Sequence, residues 1–182
     1  MPAKLKIFVF GVLVTALTLL PAAARGFEHD LLFGGYVNTL RNLDTQGMTL
    51  AYHLWITPSP ERSREGASFL YPLPFNWGLE LKGGRLNRPQ EAWEVALLAQ
   101  IKYELEIFPR LGFFATLGGG GSYTEAEYTS IPTDYSFVGR IGLGCRIEHF
   151  LIQVVYEHRS NGGIVRPNRG LDLIETAVGF RF

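Results

Sequence analysis

The chain has a single cysteine, Cys145, so it cannot form an intrachain disulfide. Lysine plus arginine and aspartate plus glutamate balance at 17 each, leaving no basic surplus to hold nucleic acid. After the first two dozen residues there is no apolar run long enough for a transmembrane helix, nor any stretch with helical periodicity. No spacing of His, Cys and carboxylates suggests a metal site, and no cofactor is implied. Helical membrane anchors, disulfide scaffolds, nucleic-acid binders and metalloenzymes are thereby set aside.

What is present begins with a leader. Lys4 and Lys6 precede the apolar stretch Ile7 to Leu20, and Ala22-Ala23-Ala24 supplies small residues for cleavage. The apolar stretch is roughly 14 residues against the ~20 a spanning helix needs. Residues 1–24 therefore read as a cleaved secretory signal peptide and 25–182 as one domain. No cysteine follows the small residues to carry a lipid anchor.

Period-two alternation of apolar and polar residues predicts eight strands. They run about His29–Leu40, Gln46–Thr57, Phe75–Lys82, Trp93–Phe108, Leu111–Tyr128, Tyr135–Glu148, Phe150–Ser160 and Asp172–Phe182. Pro58 to Pro74 reads as a loop and Gly83–Gln90 as a polar turn. The Gly118–Gly121 run has no helix after it to make a phosphate cradle, so it reads as a bend or close contact in a curved sheet. Cys145 alternates as a small apolar surface residue.

An even strand count with one apolar face fits either a soluble ligand barrel or a membrane barrel. The apolar face is rich in Leu, Ile and aromatics, while Lys102, Glu104, Arg140 and Arg146 share the other, where a small lumen can pair them. The chain also ends on Phe182 after Phe180 and Val178, as outer-membrane barrels commonly do. The expected fold is an eight-stranded antiparallel transmembrane β-barrel in the bacterial outer membrane, its last strand descending from the cell exterior.

The closing hairpin carries the chemistry. His158 and Ser160 lie two residues apart on one strand and so share a face, which continues back through Tyr156, Val154 and Ile152. On the last strand Phe182, Phe180, Val178, Thr176 and Ile174 lead by the same parity to Asp172. From Asp172 to Phe182 is about 33 Å of strand at ~3.3 Å per residue, or about 25 Å of height at a tilt of ~40°, the thickness of the apolar band. A hydroxyl, an imidazole and a carboxylate thus end apolar stripes at the outer interface. A serine is a weak nucleophile unless a base takes its proton, and a histidine oriented by an acid does this. Asp172 and Glu175 compete as the acid. Asp172 shares the outward stripe and Glu175 the inward one, so parity favours Asp172. His29, His53 and His149 lack comparable partners and read as structural or surface residues.

The run His158-Arg-Ser160-Asn161-Gly-Gly163-Ile164-Val-Arg-Pro167-Asn168-Arg-Gly170-Leu-Asp172 resembles the C-terminal signature of the lipid A 3-O-deacylase (PagL-like) family. That pattern is roughly His-x-Ser-Asn-x-Gly, then Pro-Asn-x-Gly, then an acid. The resemblance is sharp over about Tyr156 to Phe182 and is otherwise one of length and architecture. It implies an eight-stranded outer-membrane barrel that hydrolyses the ester holding the 3-position acyl chain of lipid A through a Ser–His–acid triad. Here the triad would be Ser160, His158 and Asp172. Well-known members carry Glu as the acid, one methylene longer than the Asp found here.

Backbone N–H groups around Asn161 and Gly163 are the nearest candidates to hold the oxyanion, and Asn168 either orients the loop or donates. Arg159, Arg166 and Arg169 are candidates for lipid A phosphates or are solvated loop charges, and the inward parity of Arg159 counts against it. The implied partner is lipid A or lipopolysaccharide in the membrane. A homodimer is compatible with the sequence. The rival readings are a non-catalytic outer-membrane barrel, a lipid A acyltransferase and a soluble periplasmic lipid-binding barrel.

Overall fold

Eight antiparallel strands close into a barrel in sequence order, with β1 pairing β8. They are β1 (Phe27–Val37), β2 (Gln46–Ile56), β3 (Phe75–Arg88), β4 (Ala92–Phe108), β5 (Leu111–Thr124), β6 (Tyr135–Ile147), β7 (Phe150–Ser160) and β8 (Leu171–Arg181). This is a computed structural model, and it describes residues 27–37, 45–56, 75–88, 90–126, 128 and 131–182. The leader expected at 1–24 and the loop expected over Pro58–Pro74 lie outside the described residues. Among the described residues no helix is long and apolar enough to cross a membrane.

The strand bounds follow the alternation closely, with two corrections: β5 ends at Thr124 rather than at Tyr128, and β3 runs on past Lys82. The polar turn expected at Gly83–Gln90 is largely strand, since β3 continues to Arg88. Its polar letters hid a continuing alternation, in which Lys82, Gly84 and Leu86 face the lumen and Leu86 is fully buried. Leu86 pairs with Gly47 on one side and Ala92 on the other, which extends the sheet to the outer mouth.

The outward face is the apolar one. Leu79, Leu97, Leu117, Ile141, Leu143, Ile152 and Val178 are all more than half exposed, an arrangement stable only against hydrocarbon. Inside, charge is paired in layers. Arg140 contacts Glu80 and Glu175, Lys82 contacts Glu157 at 2.5 Å, and Arg159 contacts Glu94 and Glu157 at 2.6 Å each. Nearer the chain termini Arg181 joins Asp30 and Glu104, and Arg146 joins Glu104. Buried charges are tolerated only when paired in this way. Above them Tyr36, Leu86, Ala92, Tyr128, Ile131, Leu171 and Leu173 form an apolar cluster inside the outer mouth.

The register fixes how the surface is oriented. Cross-strand partners from Leu171 run through Arg159, Val138, Gly120, Leu98, Glu80, His53 and Asp30, then rejoin β8 at Arg181, ten residues further along. Eight strands with that stagger tilt by about 40° from the barrel axis. A row of paired residues therefore descends about 3 Å per strand as it passes from β8 toward β5. The end carrying Leu171 and the connection 161–170 is opposite the end with the two-residue turns after Phe108 and Ile147. Short turns mark the periplasmic side, so β7 and β8 meet at the outer rim.

Candidate active site

β7 and β8 pair so that His158 lies directly opposite Asp172, and the His158 Nδ1 is 2.7 Å from Asp172 Oδ1. The burial pattern of β7 puts Phe150, Ile152, Val154, Tyr156, His158 and Ser160 on the outward face. The His158 side chain is 46% exposed, whereas that of Asp172 is only 8% exposed although it has outward parity. Its neighbours cover it: Tyr156 lies one step toward the membrane on the same face, and its hydroxyl donates to the same Oδ1 at 2.6 Å. Sequence reading placed Tyr156 on this stripe and gave it no role. The signal was there, a phenol hydroxyl two residues before His158 on a face otherwise made of hydrocarbon.

The structure separates the two competing acids. Glu175 points into the lumen, where it accepts from Thr49 at 2.8 Å and contacts Lys82 and Arg140. Ser160 is half-buried and shares the His158 face, opposite Phe137 of β6. Among the described residues His158 has one side-chain hydrogen bond, to Asp172, and none links it to Ser160. Such bonds are often loose in ligand-free sites and tighten when substrate binds.

The loop after Ser160 is built around Asn161, which is 1% exposed. Its N–H donates to Asn168 Oδ1, its Nδ2 donates to the Val165 carbonyl, and its Oδ1 accepts from the Gly163 N–H. The Ile164 N–H closes the turn on the Asn161 carbonyl. Gly162 and Gly163 take the left-handed φ values of 65° and 81° that this turn needs. Both N–H groups expected as oxyanion donors are thus engaged by carboxamide oxygens. Of the two roles open for Asn168, its hydrogen bond supports orienting the loop. Arg159 is turned inward onto Glu94 and Glu157, which removes it from the candidates for phosphate contact. Arg166 and Arg169 remain exposed at the rim.

An apolar groove of about 410 Å³ borders Asn161, the residue after Ser160, and is bounded by Val95, Leu97, Tyr123, Tyr135, Phe137 and Ile164. Next to it lies a lane of glycines ending in one alanine. The outward row from Asp172 and His158 continues to Gly139, Gly119 and Ala99 before it meets Leu79. A Cβ on Gly139 would touch nothing within 4 Å. The inward glycines of the same run differ: a Cβ on Gly120 would collide with the Leu97 carbonyl at 2.1 Å. Close contact in a curved sheet, the role expected for Gly118–Gly121, therefore holds for its inward members, while the outward ones leave space.

The remaining histidines sit elsewhere. His29 meets the Tyr52 hydroxyl at 2.5 Å, His53 lies 3.2 Å from Glu80, and His149 lies 3.1 Å from the Arg181 carbonyl. No cluster among the described residues could hold a metal ion.

The model of the family described as lipid A 3-O-deacylase (PagL) matches residues 46–181. The chain belongs to this family. Among solved structures it is similar to the crystal structure of the outer membrane enzyme PagL, with 15% identity and a TM-score of 0.60. That match covers 83% of this chain and 98% of the other. It is also similar to Neisserial surface protein A, with 8% identity, a TM-score of 0.56 and coverage of 85% and 94%. These likenesses show the barrel fold. No curated protein matches in sequence. The protein is a barrel of the bacterial outer membrane, and its family acts on lipid A.

Proposed function

We propose that the protein is an esterase that removes the acyl chain from the 3-position of lipid A, with Ser160 as nucleophile, His158 as general base and Asp172 as the orienting acid. The observation that carries this reading is the His158–Asp172 hydrogen bond of 2.7 Å on the lipid-facing side of the outer rim, with Ser160 on the same face. A lumenal or periplasmic triad would not meet lipid A, which lies in the outer leaflet.

In this mechanism Asp172 accepts from Nδ1–H of His158, which leaves the Nε2 lone pair to accept the Ser160 proton. Nε2 takes the Ser160 proton as Oγ attacks the ester carbonyl. The tetrahedral intermediate collapses by breaking the bond to the sugar oxygen, which receives the proton from Nε2. Water, deprotonated by His158, then attacks the acyl-enzyme, the bond to Ser160 Oγ breaks as Oγ takes back the proton from Nε2, and a 3-hydroxy fatty acid is released. Asn161, Gly163 and Asn168 shape the loop that borders the developing oxyanion. The lane over Gly139 and Gly119 descends from His158 toward the bilayer interior, a direction suited to an acyl chain that stays in hydrocarbon while its ester reacts. Arg166 and Arg169, at the rim, are suited to lipid A phosphates.

The test is the mass of lipid A from cells expressing the wild-type protein or Ser160→Ala. Loss of one ester-linked 3-position acyl chain is expected with the wild type and no change with the variant. Continued deacylation by Ser160→Ala would eliminate the nucleophile. A gain in mass would point to acyl transfer, and no change with either protein to a non-catalytic barrel.

A further inference from the structure

The stripe below His158 is hydrocarbon at Phe150, Ile152 and Val154, and then carries the phenol of Tyr156. Packing against lipid alone would be served by phenylalanine. A phenol hydroxyl at the edge of the apolar band must find a partner or lose its hydration uncompensated. It has one: the Tyr156 hydroxyl donates to Asp172 Oδ1 at 2.6 Å, and the same oxygen lies 2.7 Å from His158 Nδ1. The register makes this reach natural. Tyr156 pairs with Ile174 and His158 with Asp172, so Tyr156 stands diagonal to the carboxylate, a position within range of an aromatic side chain.

We propose that Tyr156 is a positioning residue, whose hydroxyl pins the Asp172 carboxylate so that its Oδ1 holds His158 in one ring orientation and one tautomer. The inference rests on the triad proposed above. Asp172 is short and almost wholly covered, so a donor on its carboxylate helps to keep it charged and aligned beside lipid. A hydrogen bond from a neutral donor to an ionised oxygen is among the strong ones and is short, as found here. Two donors on one oxygen fix where the carboxylate points, and Nδ1–H then has one place to go. In this scheme Tyr156 takes no part in proton transfer. It acts through Asp172.

The experiment uses the full-length protein in detergent micelles with lipid A as substrate. Tyr156→Phe should keep the heat-modifiable gel mobility of the folded barrel. Its kcat should fall about tenfold with KM within about twofold, as expected for losing one hydrogen bond to a charged group. In an Asp172→Asn background the same change should cost nothing further, because the partner is already altered. Nitrogen-15 spectra of labelled histidine should show His158 as the Nδ1–H tautomer in the wild type and as a mixture in Tyr156→Phe. Unchanged kcat, an equal loss in the Asp172→Asn background, or a rise in KM alone would overturn the proposal. So would an Nε2–H tautomer in the wild-type spectrum, which requires no variant to fold. An inactive Ser160→Ala together with a fully active Tyr156→Phe removes only the role of Tyr156, whereas an active Ser160→Ala removes the triad itself.

Discussion

Gly170 lies against the ring of His158: a Cβ there would stand 2.6 Å from His158 Cε1. Its φ of 71° is also in the left-handed region that penalises a side chain. The residue that ends the loop into β8 thus sets how close the loop comes to the imidazole. Gly170→Ala is expected to push the ring off Asp172 while the barrel still forms. A displacement of that kind costs up to ~100-fold in rate. Single-turnover deacylation of lipid A checks this, and wild-type rates in Gly170→Ala would show that the contact is not felt.

Asp172 and Glu175 are three residues apart on β8 and work on opposite sides of the barrel wall. Asp172→Asn should cost a factor of ~1,000 or more in kcat, because an amide can present the wrong group to Nδ1 and leave the imidazole in the wrong tautomer. Glu175→Gln should keep most activity and lose stability, since it takes a charge from Lys82, Arg140 and Thr49. Activity assays and urea unfolding of the two variants separate these effects. The reverse pattern would mean that the acid comes from the lumen side.

That assignment was available from parity alone, and the reason is physical. A strand alternates strictly, so once Phe150, Ile152 and Val154 are known to face lipid, His158 and Ser160 follow without a structure. β7 was legible to the residue for the same reason. Parity fails where composition misleads, as at Gly83–Arg88, whose turn-like letters continue a lumen-facing row ending in Leu86. It is also silent on diagonal relations. Parity shows that Asp172 points outward, but only the register shows that Tyr156 and His158 share its Oδ1. The engagement of the Asn161 and Gly163 N–H groups was equally hidden, because it depends on a loop folding back upon itself.

Arg159 sits between His158 and Ser160 but faces the lumen, where it spans Glu94 and Glu157. Arg159→Met would leave Glu94 buried and unpaired beneath the site. A broken buried pair costs about 3–5 kcal/mol, while replacing both partners is far milder. The Arg159→Met variant should therefore unfold at lower urea concentration, and Arg159→Met with Glu94→Gln should recover most of the loss. Equal midpoints for the two variants would show that the pair carries no such coupling.

Gly139 is where the proposed acyl lane leaves His158, so a side chain there tests the lane. Gly139→Leu places hydrocarbon on a lipid-facing position with nothing within 4 Å of its Cβ, so the barrel should fold as before. The isobutyl group would fill the path between His158 and Gly119. A short-chain ester does not need that path, whereas a long acyl chain does. The expected result is a loss of about tenfold or more in kcat/KM on lipid A, roughly 1.4 kcal/mol of transition-state binding. Hydrolysis of a soluble short-chain ester should be nearly unchanged. Equal losses on both substrates would mean that the leucine disturbs His158 itself, and no loss on either would mean that the acyl chain leaves the site by another route.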